Sequence, residues 1–142
     1  MIGGQVLDIA AEAGNPNEED IRVLQRMKTG ALIRYACAAG AMLGRASSEK
    51  LGCLERYGET VGLAFQLADD LLDVTSDAQT MGKAVGKDAD RGKGTLVGIH
   101  GVEKVQDLLK QTIVQADEHL SGFGPEADIL RQTSRFIVER RS

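Results

Sequence analysis

An all-α fold is predicted by three observations. Apolar residues recur at spacings of three and four throughout, while no stretch of four or more residues alternates strictly between apolar and polar. Aromatic residues make up only 4% of the chain and Trp is absent, so the core is expected to be Leu, Ile, Val and Ala, which suits closely packed helices. The length of 142 residues, with 42% hydrophobic and 27% charged residues, is that of one globular domain.

The elements are expected in the following order. Residues 2–13 carry helical spacing but no capping residue before them, as though the chain entered in mid-helix. Asn15-Pro16-Asn17 is a turn, and Asn17 is placed to cap a helix whose first turn, Glu18-Glu19-Asp20, suits the positive end of the helix dipole. That helix is expected to run to about Leu43. Ser47 or Ser48 caps a third helix to about Thr75, with an interruption near Gly52 or Gly58. From Ser76 to Thr95, Gly82, Gly86, Gly92 and Gly94 interleave with Lys83, Lys87, Arg91 and Lys93, the composition of a mobile cationic loop. Leu108, Leu109, Ile113 and Leu120 mark another helix, Gly122 to Pro125 a turn, and Ile129 to Val138 the last helix.

Charge and composition exclude several functions. Seventeen Lys and Arg against 21 Asp and Glu leave a net charge of −4, so no overall positive field draws the chain to nucleic acid or anionic membranes. The first residues, with Asp8 and Glu12, do not make a signal peptide, and no apolar run approaches the ~18 residues of a membrane helix. Cys37 and Cys53 lack metal or redox spacing and are expected as buried thiols in a reducing, cytoplasmic setting. Residues 86–94 are not a Walker loop: five residues separate Gly86 from Gly92, and Gly94 follows Lys93. Asp88-x-Asp90 does not open an EF-hand, because the following acid or amide and Gly are displaced.

The third helix holds the main functional signal. At about 100° per residue, Gln66, Asp69, Asp70 and Asp73 fall within an arc of roughly 100°. Val61, Leu63, Ala64, Phe65, Leu67, Ala68, Leu71 and Leu72 occupy most of the remaining circumference, which predicts a buried helix whose acidic stripe opens into an internal cavity. Asp69 and Asp73, one turn apart, repel each other unless a cation lies between. A hard divalent cation is the natural partner. Magnesium prefers carboxylate on one side and phosphate oxygens on the other, which makes a phosphate the missing ligand. A solvated acidic face is the competing reading, weakened by the apolar flanks.

Basic and hydroxyl groups are candidates for the other half of the site. Lys28-Thr29-Gly30 interrupts a helix with two poor helix formers. Either a local distortion aims Lys28 and Thr29 at an anion, or Lys28 lies along the surface beside a Gly used for close packing. The Gly and Lys loop has the same two readings, a phosphate flap or a flexible linker.

Gly4-Gln5-Val6-Leu7-Asp8, Lys28-Thr29-Gly30, Phe65 through Asp73, Gly82-Lys83 and Gly92-Lys93-Gly94-Thr95 resemble successive motifs of the trans-prenyl diphosphate synthases, bacterial short-chain type. The resemblance covers essentially the whole chain. It implies the all-α helical bundle of the prenyl synthases, present as its C-terminal half, with the first aspartate-rich motif and the isopentenyl-diphosphate-binding basic residues upstream. It implies that Asp69, Asp70 and Asp73 bind Mg2+ bridged to an allylic diphosphate. Lys28, Thr29, Gln66, Lys83 and Lys93 would hold that diphosphate, with Asp69, Asp70, Lys28 and Lys83 as the catalytic set. Many relatives have Ser-Thr-Tyr-Pro where this chain reads Gly94-Thr95-Leu96-Val97, a departure that bears on Lys93.

The implied reaction condenses an allylic diphosphate with isopentenyl diphosphate through an allylic cation, and the 142 residues alone are expected to be inactive. The alternatives are a non-catalytic helical subunit that binds a full-length prenyltransferase, and a terpene cyclase. A homo-oligomer is expected, because half a helical domain leaves apolar surface uncovered.

Overall fold

The computed structural model describes residues 17–80 and 95–139, apart from the side chains of residues 25, 28 and 76–80. The expected helix over residues 2–13, most of the Gly and Lys loop, and Lys83 and Lys93 lie outside the described residues.

Helix α1 (Glu18–Gln25) begins where its local chemistry predicts. The Asn17 side chain accepts from the Asp20 amide at 3.0 Å and the Asp20 carboxylate accepts from the Asn17 amide at 3.1 Å, closing a reciprocal capping box. Ile21, on its inner face, is only 3% exposed. The single helix expected from Asn17 to Leu43 is instead three segments. A π-helical turn at Arg26–Gly30 separates α1 from α2 (Ala31–Leu43), at the Lys28-Thr29-Gly30 step that combines poor helix formers.

Helix α3 (Ser48–Thr80) is 33 residues long, about 50 Å at 1.5 Å per residue. Ser47 caps it by accepting from the Lys50 amide at 3.3 Å. It continues through Gly52 and Gly58 without the expected interruption and passes Thr75 by five residues. A short helix, α4 (Leu96–His100), follows the Thr95 cap, whose hydroxyl accepts from the Gly98 amide at 3.1 Å. Gly101, with φ of 83°, turns the chain into α5 (Val102–His119), where a side chain would be strained. A 3₁₀ turn at Pro125–Ala127 leads into α6 (Asp128–Glu139).

The long helix α3 is the axis of the assembly. It packs against α2 on one side and α5 on another, and also touches α1, α4 and α6. Tyr57, Val61, Ala64, Leu67, Ala68 and Leu71 of α3 join Leu96, Val105, Leu109, Ala116, Leu120 and Ile137 in one apolar core. Arg131 closes the turn before α6: its guanidinium donates to the carbonyls of Leu120 (2.9 Å), Phe123 (2.9 Å) and Gly124 (3.1 Å), adding to the backbone bonds that Leu120 accepts from Phe123 and Gly124 from Ala127. His100 links α4 back to the start of α1 through Glu18, at 3.0 Å. Arg22, by donating to the same carboxylate, holds the Glu18 carboxyl below its ordinary range.

Both cysteines are free, as expected, and half-buried rather than fully buried. Burial pushes the Cys37 thiol up, which makes it a weak nucleophile. Among the described residues no strand occurs, and no helix is long and apolar enough to cross a membrane.

Candidate functional site

The acidic stripe lies on the half of α3 that follows its glycines. Gln66, Asp69 and Asp70 are half-buried and Asp73 is exposed, whereas Ala64, Leu67, Ala68 and Leu71 on the other sides of the same turns are buried. The apolar sides of the helix are thus buried as the sequence predicts, while the cavity bordering α3 is not the internal one expected along the stripe. A cavity of about 260 Å³ borders α3 on its opposite face, lined by Leu71, Leu72, Thr75, Leu109 and Ile137 among others, so it is distinct from the stripe.

Across from the stripe stands the π turn. Gln66 Nε2 donates to Thr29 Oγ1 at 3.3 Å, joining residues 37 positions apart. This contact brings together two of the residues singled out from the sequence, one on each side of the site. Lys28 has its backbone in the same turn, one residue before Thr29. Its side chain, like Lys83 and Lys93, lies outside the described residues.

What allows the turn to sit so close is the absence of side chains. A Cβ built on Gly62 would lie 2.6 Å from Gly30 Cα, and one built on Gly58 would lie 2.8 Å from Arg34 Cα. Both readings of Lys28-Thr29-Gly30 thus describe part of what is seen: the helix is distorted there, and Gly30 is in close backbone packing. Sequence reading missed Gly62 as the partner of Gly30 and Gly58 as that of Arg34, although the spacing of four between Gly58 and Gly62 was a usable signal. Farther along the same crossing, Arg34 pairs with Glu55 at 3.1 Å and Glu59 at 3.2 Å.

The donor set suits a hard cation. Carboxylates on a partly buried face supply oxygen ligands, and magnesium takes one or two of these together with water and phosphate oxygens instead of a complete protein cage. Among the described residues no three His, Cys, Asp or Glu side chains are gathered closely enough to hold a metal by themselves. Asp69, Asp70 and Asp73 are the residues of the stripe that could hold such a cation, Asp73 being the exposed one.

Fold and site together define a helical protein with carboxylates on a central helix facing hydrogen-bonding groups on a distorted neighbour. The polyprenyl synthetase family model matches residues 1–122, and the chain belongs to that family. It is 35% identical over 144 residues to farnesyl diphosphate synthase of Escherichia coli (strain K12), covering 99% of this chain and 48% of that protein. An apo crystal structure of an FPP/GFPP synthase from Zymomonas mobilis superposes with a TM-score of 0.80 at 38% identity, covering 97% of this chain and 44% of that one. A geranyltransferase from Helicobacter pylori, complexed with magnesium and isoprenyl diphosphate, superposes with a TM-score of 0.72 at 27% identity, covering 98% and 46%. The chain spans about a third to a half of the length of the curated relatives it matches. The neighbours are prenyl synthases of all-α fold, in line with the fold class read from the sequence.

Proposed function

We propose that this chain supplies the allylic-diphosphate side of a prenyltransferase site, which condenses an allylic diphosphate with isopentenyl diphosphate. The observation that carries the reading is the pairing of Thr29 on the π turn with Gln66 on the acidic stripe of α3, in a member of this family. The names of the relatives support the substrate class.

In this reading Asp69, Asp70 and Asp73 hold Mg2+, as the magnesium and isoprenyl diphosphate in the Helicobacter pylori relative suggest. Magnesium, when bound, supplies positive charge to the diphosphate oxygens. Thr29 and Gln66 orient the diphosphate by hydrogen bonds, and Lys28, Lys83 and Lys93 are assigned to neutralise it. Charge stabilised where it develops, on the departing oxygen, lowers the barrier to breaking the carbon–oxygen bond. The diphosphate leaves with the bonding electrons, the double bond of isopentenyl diphosphate attacks the allylic carbon, and the resulting cation gives up a proton to the released diphosphate, re-forming a double bond. No side-chain nucleophile takes part.

A cytoplasmic setting and self-association belong to the same proposal. The free thiols suit a reducing compartment. Exposed Leu32, Tyr35, Met42 and Leu43 on α2 support association with a second copy.

Asp69→Ala tests the assignment. In the complete synthase containing this region, with magnesium and both diphosphates supplied, it is expected to lower turnover by orders of magnitude while circular dichroism shows unchanged helicity. Near-normal turnover would sink the reading. Substrate dependence separates the alternatives: a cyclase consumes the allylic diphosphate alone, and a binding subunit consumes neither substrate.

A further inference from the structure

We infer that the Gly30–Gly62 backbone contact is a positioning contact: it sets the spacing between the π turn carrying Thr29 and the face of α3 carrying Gln66, Asp69 and Asp70. This rests on the diphosphate reading above and adds to it the residues that hold the two halves of the site at working distance.

The geometry is specific about where the helices touch. The atoms that a Gly62 Cβ would meet are Gly30 Cα at 2.6 Å, Gly30 O at 3.5 Å and Gly30 C at 3.6 Å. All are backbone, so no rotamer change relieves the overlap. Gly62 and Gln66 stand one turn apart on one face of α3, and Thr29 directly precedes Gly30. The 3.3 Å Thr29–Gln66 hydrogen bond therefore lies one helical turn from the backbone contact on α3 and one residue from it on the π turn, so a displacement at the glycines bears on it directly.

The π turn gives the contact a second consequence. A π turn holds an extra residue within a helical turn, and π-helical segments are rare because the α-helix is the better-bonded form. Gly30 is the last residue of this one, so the contact fixes the end at which the distortion meets α2. Reversion to a continuous α-helix would rotate Thr29 by about 100° about the axis, the angle of one residue, and turn it away from Gln66. A site of this kind tolerates only about 0.5 Å of looseness, whereas clearing a Cβ from a 2.6 Å approach requires a shift on the order of 1 Å.

Gly58 provides the comparison. It makes a comparably close approach, to Arg34 Cα at 2.8 Å and Cys37 Sγ at 3.1 Å, but one turn farther from Gln66. A Cβ at Gly58 opens that end of the crossing and leaves Gly62 on Gly30 as the pivot. One at Gly62 removes the pivot itself.

The test follows Gly62→Ala, Gly58→Ala and the unaltered chain by two independent readouts. The first is the nuclear Overhauser contact between the Gln66 side-chain amide and the Thr29 methyl, without ligand. The second is calorimetric affinity for inorganic diphosphate in the presence of magnesium. Gly62→Ala is expected to keep its helicity, lose the contact and bind diphosphate at least tenfold more weakly. Gly58→Ala is expected to lose comparable thermal stability yet keep the contact and bind within about twofold of the unaltered chain.

Retention of the contact in Gly62→Ala, or equal loss of binding in both variants, would overturn the inference. If Gly62→Ala does not fold, Gly30→Ala places the Cβ on the five-residue turn instead of the long helix; unfolding of both would make the contact a folding contact and overturn it also. If the unaltered chain shows the contact but binds no magnesium diphosphate, while Gly62→Ala loses the contact, the functional reading fails and the geometric link stands.

Discussion

The phenol of Tyr57 is 2% exposed, and its hydroxyl donates to the Leu130 carbonyl at 2.7 Å, tying α3 to α6. Burial pushes its pKa well above the ordinary value of 10.0. The unfolded chain therefore releases this proton at lower pH than the folded chain does. The stability the buried phenol contributes is complete below about pH 10 and is lost as the pH rises beyond it. Tyr57→Phe should cost about 0.5–1.5 kcal/mol at neutral pH, because the Leu130 carbonyl loses its donor. It should also flatten the alkaline fall. Urea midpoints at neutral and alkaline pH check both, and an unchanged alkaline slope in the variant would contradict the assignment. Such a pair could not be read from sequence, since nothing local relates Tyr57 to Leu130. The same holds for Thr29 and Gln66: each was legible as a candidate, but only the fold shows that they meet. Gln66, Asp69 and Asp70 were legible as a group because sharing a face is a property of one helix and its period.

Among the elements, glycine has two opposite effects, and the distinction lies in what surrounds it. Gly40, within α2, has nothing within 4 Å of where a Cβ would stand. Gly40→Ala should therefore stabilise the chain by about 0.5–1 kcal/mol, through helix propensity alone. The thermal midpoint should rise by on the order of 3 °C; a fall would mean that this face of α2 is in contact with something not yet seen. Gly58 and Gly62 have the same propensity but backbone beside them. That difference explains why an interruption of α3 was wrongly expected at Gly58: the missing side chain serves the crossing, and the hydrogen-bond ladder is unaffected. The π turn was legible only as a weak spot in a long helix, since a π turn and a kink share the same poor helix formers. Helix α4 went unread because five residues are too few to show a period, although the Thr95 cap was there to find.

For the molecule as a whole, the apolar stripe on α2 is a candidate surface for self-association. Leu32, Tyr35, Met42 and Leu43, between 54% and 86% exposed, lie on the side of α2 away from buried Ala38 and Ala41. From Leu32 to Leu43 the stripe is about 17 Å long at 1.5 Å per residue, and a helix is about 10 Å wide. Its footprint is thus on the order of 170 Å², well below the ~800 Å² that each partner buries in a stable complex. At about 25 cal/mol per Å², covering it on two copies is worth at most ~8 kcal/mol, most of which the cost of association offsets. The expected outcome is a weak, concentration-dependent dimer and not a permanent one. Sedimentation velocity across the micromolar range should show a coefficient that rises with concentration. Leu43→Glu, at the most exposed position of the stripe, should abolish that rise without changing helicity, because it places a charge where a second apolar face would settle. A compact monomer at every concentration would show that the stripe is not a surface for self-association, and a tight dimer insensitive to Leu43→Glu would locate the interface elsewhere.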